Sequence, residues 1–124
     1  MATVRRVLLH VDDGLRQIVD PDDVYYLEAL LDETSVRLRR ARPVIDVRPL
    51  GELLRSFEPF GFVRIHRSYA VNLTRIRLFR RRARGKDWEV KLQPPVNRLL
   101  PVSREYNARL LAAFEGKRVR RRRS

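Results

Sequence analysis

"RIHRSYAVNLTRI", residues 64 to 76, holds a His-Arg-Ser triplet, an aromatic residue and an Asn that interrupts an apolar run. Such residues can build a catalytic site, a metal site or a nucleic-acid contact, and the rest of the chain decides between them. A metal site fails on ligand supply: only His10 and His66 are available, in different elements, with no second His or carboxylate at helical spacing. Cysteine is absent, which removes disulfides, thiol nucleophiles and thiolate-held metals. His66 with Ser68 or Ser103 lacks the sharp Gly-flanked turn of a serine nucleophile. The paired carboxylates Asp12-Asp13, Asp22-Asp23 and Asp32-Glu33 fall in predicted turns, where Asp serves backbone hydrogen bonds. Only five glycines are scattered over the chain, so no phosphate-cradling loop is expected. No cofactor is implied, and the chain reads as a non-enzyme.

Cations are what remains. The 124 residues carry 28 Lys and Arg against 15 Asp and Glu, a formal charge of +13. An acidic partner follows from that balance, although nucleic acid, anionic lipid and acidic protein would all answer it. The tail "GKRVRRRRS" holds Lys117, Arg118 and Arg120 to Arg123, yet the preceding residues stay net positive without it. Almost all the cations are Arg, whose planar fork grips a phosphate or a guanine edge at two points, so the composition leans to nucleic acid. The N-terminal "MATVRRVLLHVDDG" is too short in apolar residues for a signal core or membrane span, which favours the cytosol.

Periodicity organises the chain as one domain over residues 1–116 with a basic tail at 117–124. Extended runs at 4–11 and 15–19 flank Asp12-Asp13-Gly14 as a hairpin. In "DPDDVYYLEAL" Tyr25, Leu27 and Ala29 are expected on one face of a third strand. After a polar break at Asp32 to Thr34, "SVRLRR" alternates strictly, with Val36 and Leu38 inward, and "VIDVR" at 44–48 repeats the pattern. Leu50, Leu53, Leu54 and Phe57 then predict a helix over 49–57 with Pro49 at its first position. Strands are predicted at 76–82 and 88–92, joined by a turn with Gly85, and a short one at "RLLPV". A closing helix is predicted after Ser103, whose hydroxyl would cap it, with Tyr106, Leu110, Leu111 and Phe114 on its buried side. Roughly six or seven strands following one another, with two helices, give a β-rich α+β domain.

At "FVRIHRSYAVNLTRI", Phe62, Arg64, Ile65, His66, Arg67, Ser68, Tyr69, Val71, Asn72 and Ile76 resemble the signature of LytTR-type DNA-binding domains of bacterial transcription regulators. "DPDDVYYLEA", "LGELLRSFEPFGF" and "LLPVSREYNARLLAAF" are similar to further segments of that family in the same order, over roughly residues 5 to 114. "EALLDET", with Leu30-Leu31, and "QPPVNR" depart from its pattern.

The resemblance implies an elongated, mostly antiparallel β fold that lays loops, not a recognition helix, into successive major grooves of double-stranded DNA. Three segments would meet the duplex: Asp32 to Thr34, the turn of His66, Arg67 and Ser68, and the stretch around Ser103 and Arg104. Arg67, Arg104, His66 and Thr34 would contact bases. Ser68, Ser103, Arg64, Arg75, Arg37, Arg84 and Lys86 would contact phosphates. An Arg at such a turn can donate to guanine O6 and N7 together. Asn72 is expected to satisfy backbone groups, and Tyr69, Val71 and Leu73 to pack. The resemblance further implies DNA bending and two copies on paired direct repeats, the protein being a monomer or weak dimer in the cytoplasm, on the nucleoid. A stand-alone regulator or a fragment of a larger one, such as the output domain of a response regulator, is expected. An RNA-binding or ribosome-associated module is the alternative, disfavoured because Tyr25, Tyr26, Phe79 and Trp88 are expected in the core instead of on an open stacking face. A protein-interaction domain is a third possibility.

Overall fold

Alternating apolar strands need partners, and the computed structural model, which describes residues 4–83 and 87–116, supplies each with an antiparallel neighbour. β1 (Val7–His10) and β2 (Arg16–Val19) form a hairpin, in whose turn the Asp12 carboxylate accepts from the Gly14 N–H at 2.9 Å. β3 (Val24–Leu30), β4 (Glu33–Leu38), β5 (Val44–Asp46), β6 (Phe62–His66) and β7 (Tyr69–Asn72) form a five-stranded sheet in the order β5-β4-β3-β7-β6. β8 (Ile76–Arg81), β9 (Trp88–Leu92) and β10 (Leu99–Val102) form a three-stranded sheet. With α1 (Leu50–Phe57) and α2 (Arg104–Glu115), the described residues hold ten strands and two helices, the expected β-rich class. The two unforeseen strands are β6 and β7, both inside the stretch whose polar residues mask its alternation.

The five-stranded sheet is covered on both faces. On one side β1, β2 and α1 enclose a cluster that includes Leu9, Leu27, Val36, Leu53 and Phe57. On the other, the three-stranded sheet and α2 enclose Tyr25, Ile65, Val71, Val90 and Leu110. α1 follows its predicted spacing, with Leu50, Leu53, Leu54 and Phe57 all buried, while Pro49 stands one residue ahead of the helix and its carbonyl accepts from Glu52 and Leu53. A 3-10 turn at Glu58–Phe60 follows and closes at Gly61, whose φ of 88° would strain any side chain.

Other expectations need correction. Tyr25 does not share a face with Leu27 and Ala29: β3 bulges against β4 between Val24 and Tyr26, so Tyr25 and Tyr26 both enter the second cluster while Val24 and Leu27 stay in the first. Burial alternates at 44–48 as expected, but the inward face is the polar one. Asp46 is the buried residue there, and Ile45 and Val47 are exposed. Its carboxylate accepts from the backbone N–H of His10 (2.8 Å) and Arg48 (2.9 Å) and from Arg48 Nε (2.9 Å) and Nη2 (2.8 Å). It thereby ties β5 to β1. In α2 only Leu110 is fully buried; Leu111 lies about 100° round the helix from it and is exposed, as is Phe114.

Burial opposes the charge on Asp46, but the hydrogen bonds from Arg48 and from the backbone outweigh it and hold its pKa below the ordinary carboxylate range. A depressed folded pKa gives stability that is present above the unfolded value, near ~3.9, and lost as pH falls through the folded one. Chemical denaturation from pH 6 down to pH 2 is therefore expected to show a loss of stability below about pH 4. Asp46→Asn, which cannot titrate, should lose less over the same range.

Candidate nucleic-acid interface

Strand register brings the three predicted segments to one edge. The tip of the β3–β4 hairpin is Leu31-Asp32, and that of the β6–β7 hairpin is Arg67-Ser68. β3 and β7 pair with Glu28 opposite Tyr69, and the Ala29 N–H donates to the Ser68 carbonyl at 2.9 Å, so the two tips are neighbours. The Ser103 N–H donates to the Ile65 carbonyl at 2.9 Å, which sets the β10–α2 junction beside the second tip. Along the edge the order is first tip, second tip, junction.

The second turn is braced from inside. Arg64 donates through Nε to the His66 carbonyl at 2.9 Å and through Nη2 to the Arg67 carbonyl. His66 Nδ1 accepts from the Ser68 N–H at 3.0 Å, so the neutral ring carries its proton on Nε2. Arg67 itself is exposed, and its guanidinium has no hydrogen bond or ion pair among the described residues. The same is true of Arg104, the first residue of α2. Neither cation is drawn into the fold.

Several expected contacts sit elsewhere. Thr34 lies within β4, fully buried, and its hydroxyl donates to the Arg48 carbonyl at 2.8 Å, so it cannot meet a base edge. The polar break is shorter than expected, since Glu33 already belongs to the strand. Ser103 holds the N-cap position, but its Oγ is buried without a hydrogen bond and caps nothing; its carbonyl accepts from Tyr106 instead. The hydroxyl therefore does not face a phosphate.

The strand cations are largely self-satisfied. Arg75 donates through Nε and Nη2 to the Asp22 carbonyl and lies 5.0 Å over the Tyr25 ring. Arg37 Nε donates to the Leu38 carbonyl at 3.2 Å. Arg80 and Arg82 pair with Glu89, and Arg81 covers Trp88 at 5.5 Å. Arg39, Arg40 and Arg42 are exposed, yet they follow β4 at the end of the sheet away from the three segments. Arg84 and Lys86, and the turn expected at Gly85, lie outside the described residues, as does the tail.

One cation that sequence reasoning passed over supports the edge. Arg98 donates to Tyr26 Oη at 2.5 Å and Tyr69 Oη at 3.2 Å, lies over both rings, and stands 3.6 Å from Glu28. It bridges the loop before β10 to β3 and β7 beside the second turn. Burial and the Glu28 carboxylate push the Tyr69 hydroxyl above its usual pKa, keeping it a neutral partner. Its only sequence signal was a lone Arg after Asn97, which adopts a φ of 52°.

Exposed guanidinium groups of Arg67 and Arg104 on an antiparallel edge, with Tyr25 and Tyr26 withdrawn into the core, suit a nucleic-acid-binding domain. The chain belongs to the LytTr DNA-binding domain family, whose model matches residues 16–115. It is a DNA-binding domain of the transcription-regulator class and not a catalytic one. The fold is similar to that of the LytTr DNA-binding domain of a response regulator from Bacillus cereus, with a TM-score of 0.71 and 23% identity over 90% of this chain and 98% of that one. No curated protein matches the sequence. Among the described residues no helix is long and apolar enough to cross a membrane.

Proposed function

We propose that the chain binds double-stranded DNA sequence-specifically as a transcription regulator, with Arg67 and Arg104 reading base edges in the major groove. The observation that supports this is the Ser103–Ile65 hydrogen bond, which sets the junction bearing Arg104 beside the turn bearing Arg67. His66 Nε2 is a further donor toward a base. The Ser68 hydroxyl, the unused guanidinium nitrogens of Arg37 and Arg75, and the side chains of Arg84 and Lys86 contact phosphates, and the basic tail adds affinity without sequence choice. Arg64 acts as a brace, not as a phosphate contact. Two copies occupy paired direct repeats and bend the duplex, at an elastic cost of about 1 to 6 kcal/mol offset by added contacts. The site of action is the cytoplasmic nucleoid, and the free protein is a monomer or weak dimer.

Selection from a random duplex library tests the function directly, and an enriched motif is expected. If about six phosphates are neutralised, log affinity for that motif falls with log salt at a slope near −5. A slope near zero would remove the phosphate contacts from the account. Removal of residues 117 to 123 is expected to weaken cognate and random duplexes alike. Competition with single-stranded RNA separates the alternative module; burial of Tyr25 and Tyr26 leaves those rings unavailable for base stacking.

A further inference from the structure

Leu31 is 97% exposed at the tip of the β3–β4 hairpin, with a φ of 54°. Leu30 before it is also exposed. A two-residue hairpin needing positive φ is ordinarily served by Gly, Asn or Asp, so neither the turn nor the core asks for Leu here. A single exposed Leu is unremarkable by itself. What distinguishes this one is its station on the edge that carries Arg67 and Arg104, as the outermost of the three segments.

Its neighbours restrict what it can meet. Asp32 and Glu33 are exposed beside it, and their carboxylates are repelled by phosphates, so the tip is unsuited to gripping the DNA backbone. Base edges are different. Carboxylates can accept from cytosine N4, and the major groove presents one apolar group, the C5 methyl of thymine, against which an aliphatic side chain packs.

Resting on the DNA-binding function above, we propose that Leu31 is a specificity-determining residue that covers a thymine methyl in the major groove. It selects thymine at a position beyond the one read by Arg67, on the side away from Arg104.

The test uses the full chain and the duplex enriched from a random library, resynthesised with deoxyuridine for thymidine one position at a time. Arg67→Ala and Arg104→Ala selections mark the positions those residues read. At one position on the Leu31 flank, removing the methyl is expected to weaken wild-type binding about 4-fold, as burial of one such group is worth. Leu31→Gly should bind the thymidine and deoxyuridine duplexes equally there and keep its preference at the Arg67 position. Glycine adopts the φ of 54° without strain, so this variant stays folded, which a thermal melt verifies. Wild-type indifference to every methyl on that flank overturns the proposal, as does a deoxyuridine penalty that survives in Leu31→Gly. A change in oligomeric state on Leu31→Gly with no methyl effect would assign the tip to a protein partner instead. Failure to enrich any duplex overturns the DNA-binding function as well, and is distinguishable on that ground.

Discussion

Arg67→Ala is expected to weaken binding to the preferred duplex by about 1 to 3 kcal/mol, roughly 5- to 150-fold, while binding to random duplex stays nearly unchanged. The reasoning is geometric. Arg67 is exposed and its side chain supports nothing in the fold, so the substitution leaves the turn intact. The brace from Arg64 reaches the Arg67 backbone carbonyl, which alanine retains. Thermal stability should therefore move by less than about 0.5 kcal/mol. Titrations of both duplexes at one salt concentration measure the effect, and equal losses on the two would place Arg67 on the phosphate backbone instead of on a base.

Asn72→Ala is expected to act wholly on stability. Asn72 is 1% exposed and fully used: its amide nitrogen donates to the carbonyls of Pro21 (3.3 Å) and Val24 (3.0 Å), and its oxygen accepts from the N–H (3.0 Å) and hydroxyl (2.8 Å) of Thr74. Alanine strands the Pro21 and Val24 carbonyls where water does not easily reach, whereas the exposed Thr74 can turn to solvent. Each costs about 1 to 3 kcal/mol, and because they are neighbours the sum is less than additive, about 3 to 4 kcal/mol in all. That is a large part of the ~5 to 15 kcal/mol a domain of this kind has. Asn72→Asp separates the two halves of the role: it keeps the acceptor but sets a carboxylate against two carbonyls. Urea denaturation should rank wild type well above both variants, and a stable Asp variant would show the donated bonds to be dispensable.

How much of this was visible in the sequence depends on what each residue answers to. α1 was legible because Leu50, Leu53, Leu54 and Phe57 obey one period against one surface. β4 was legible for the same reason, with Val36 and Leu38 turned inward. Asn72 could be placed because an Asn inside an apolar run must satisfy something. Asp46 could not, since its burial depends on Arg48 and on a backbone N–H from β1, far away in the chain. Thr34 was misplaced because β4 begins at Glu33, two residues before the recognised alternation, so that it shares the inward face of Val36 and Leu38. The Tyr25 bulge breaks the very alternation that was used to find β3. The candidate site divides in the same way: Arg67 and Arg104 are candidates by motif position and are exposed, whereas the contacts of Arg64 and Arg98 with backbone carbonyls and tyrosine hydroxyls are announced by no spacing.

Arg64 holds the turn by its main chain and not by the side chains displayed on it. The display can therefore be rewritten by exchanging the residue at position 67 while the mount stays as it was. Position 67 is thus free to vary over evolutionary time without a compensating repair elsewhere in the fold.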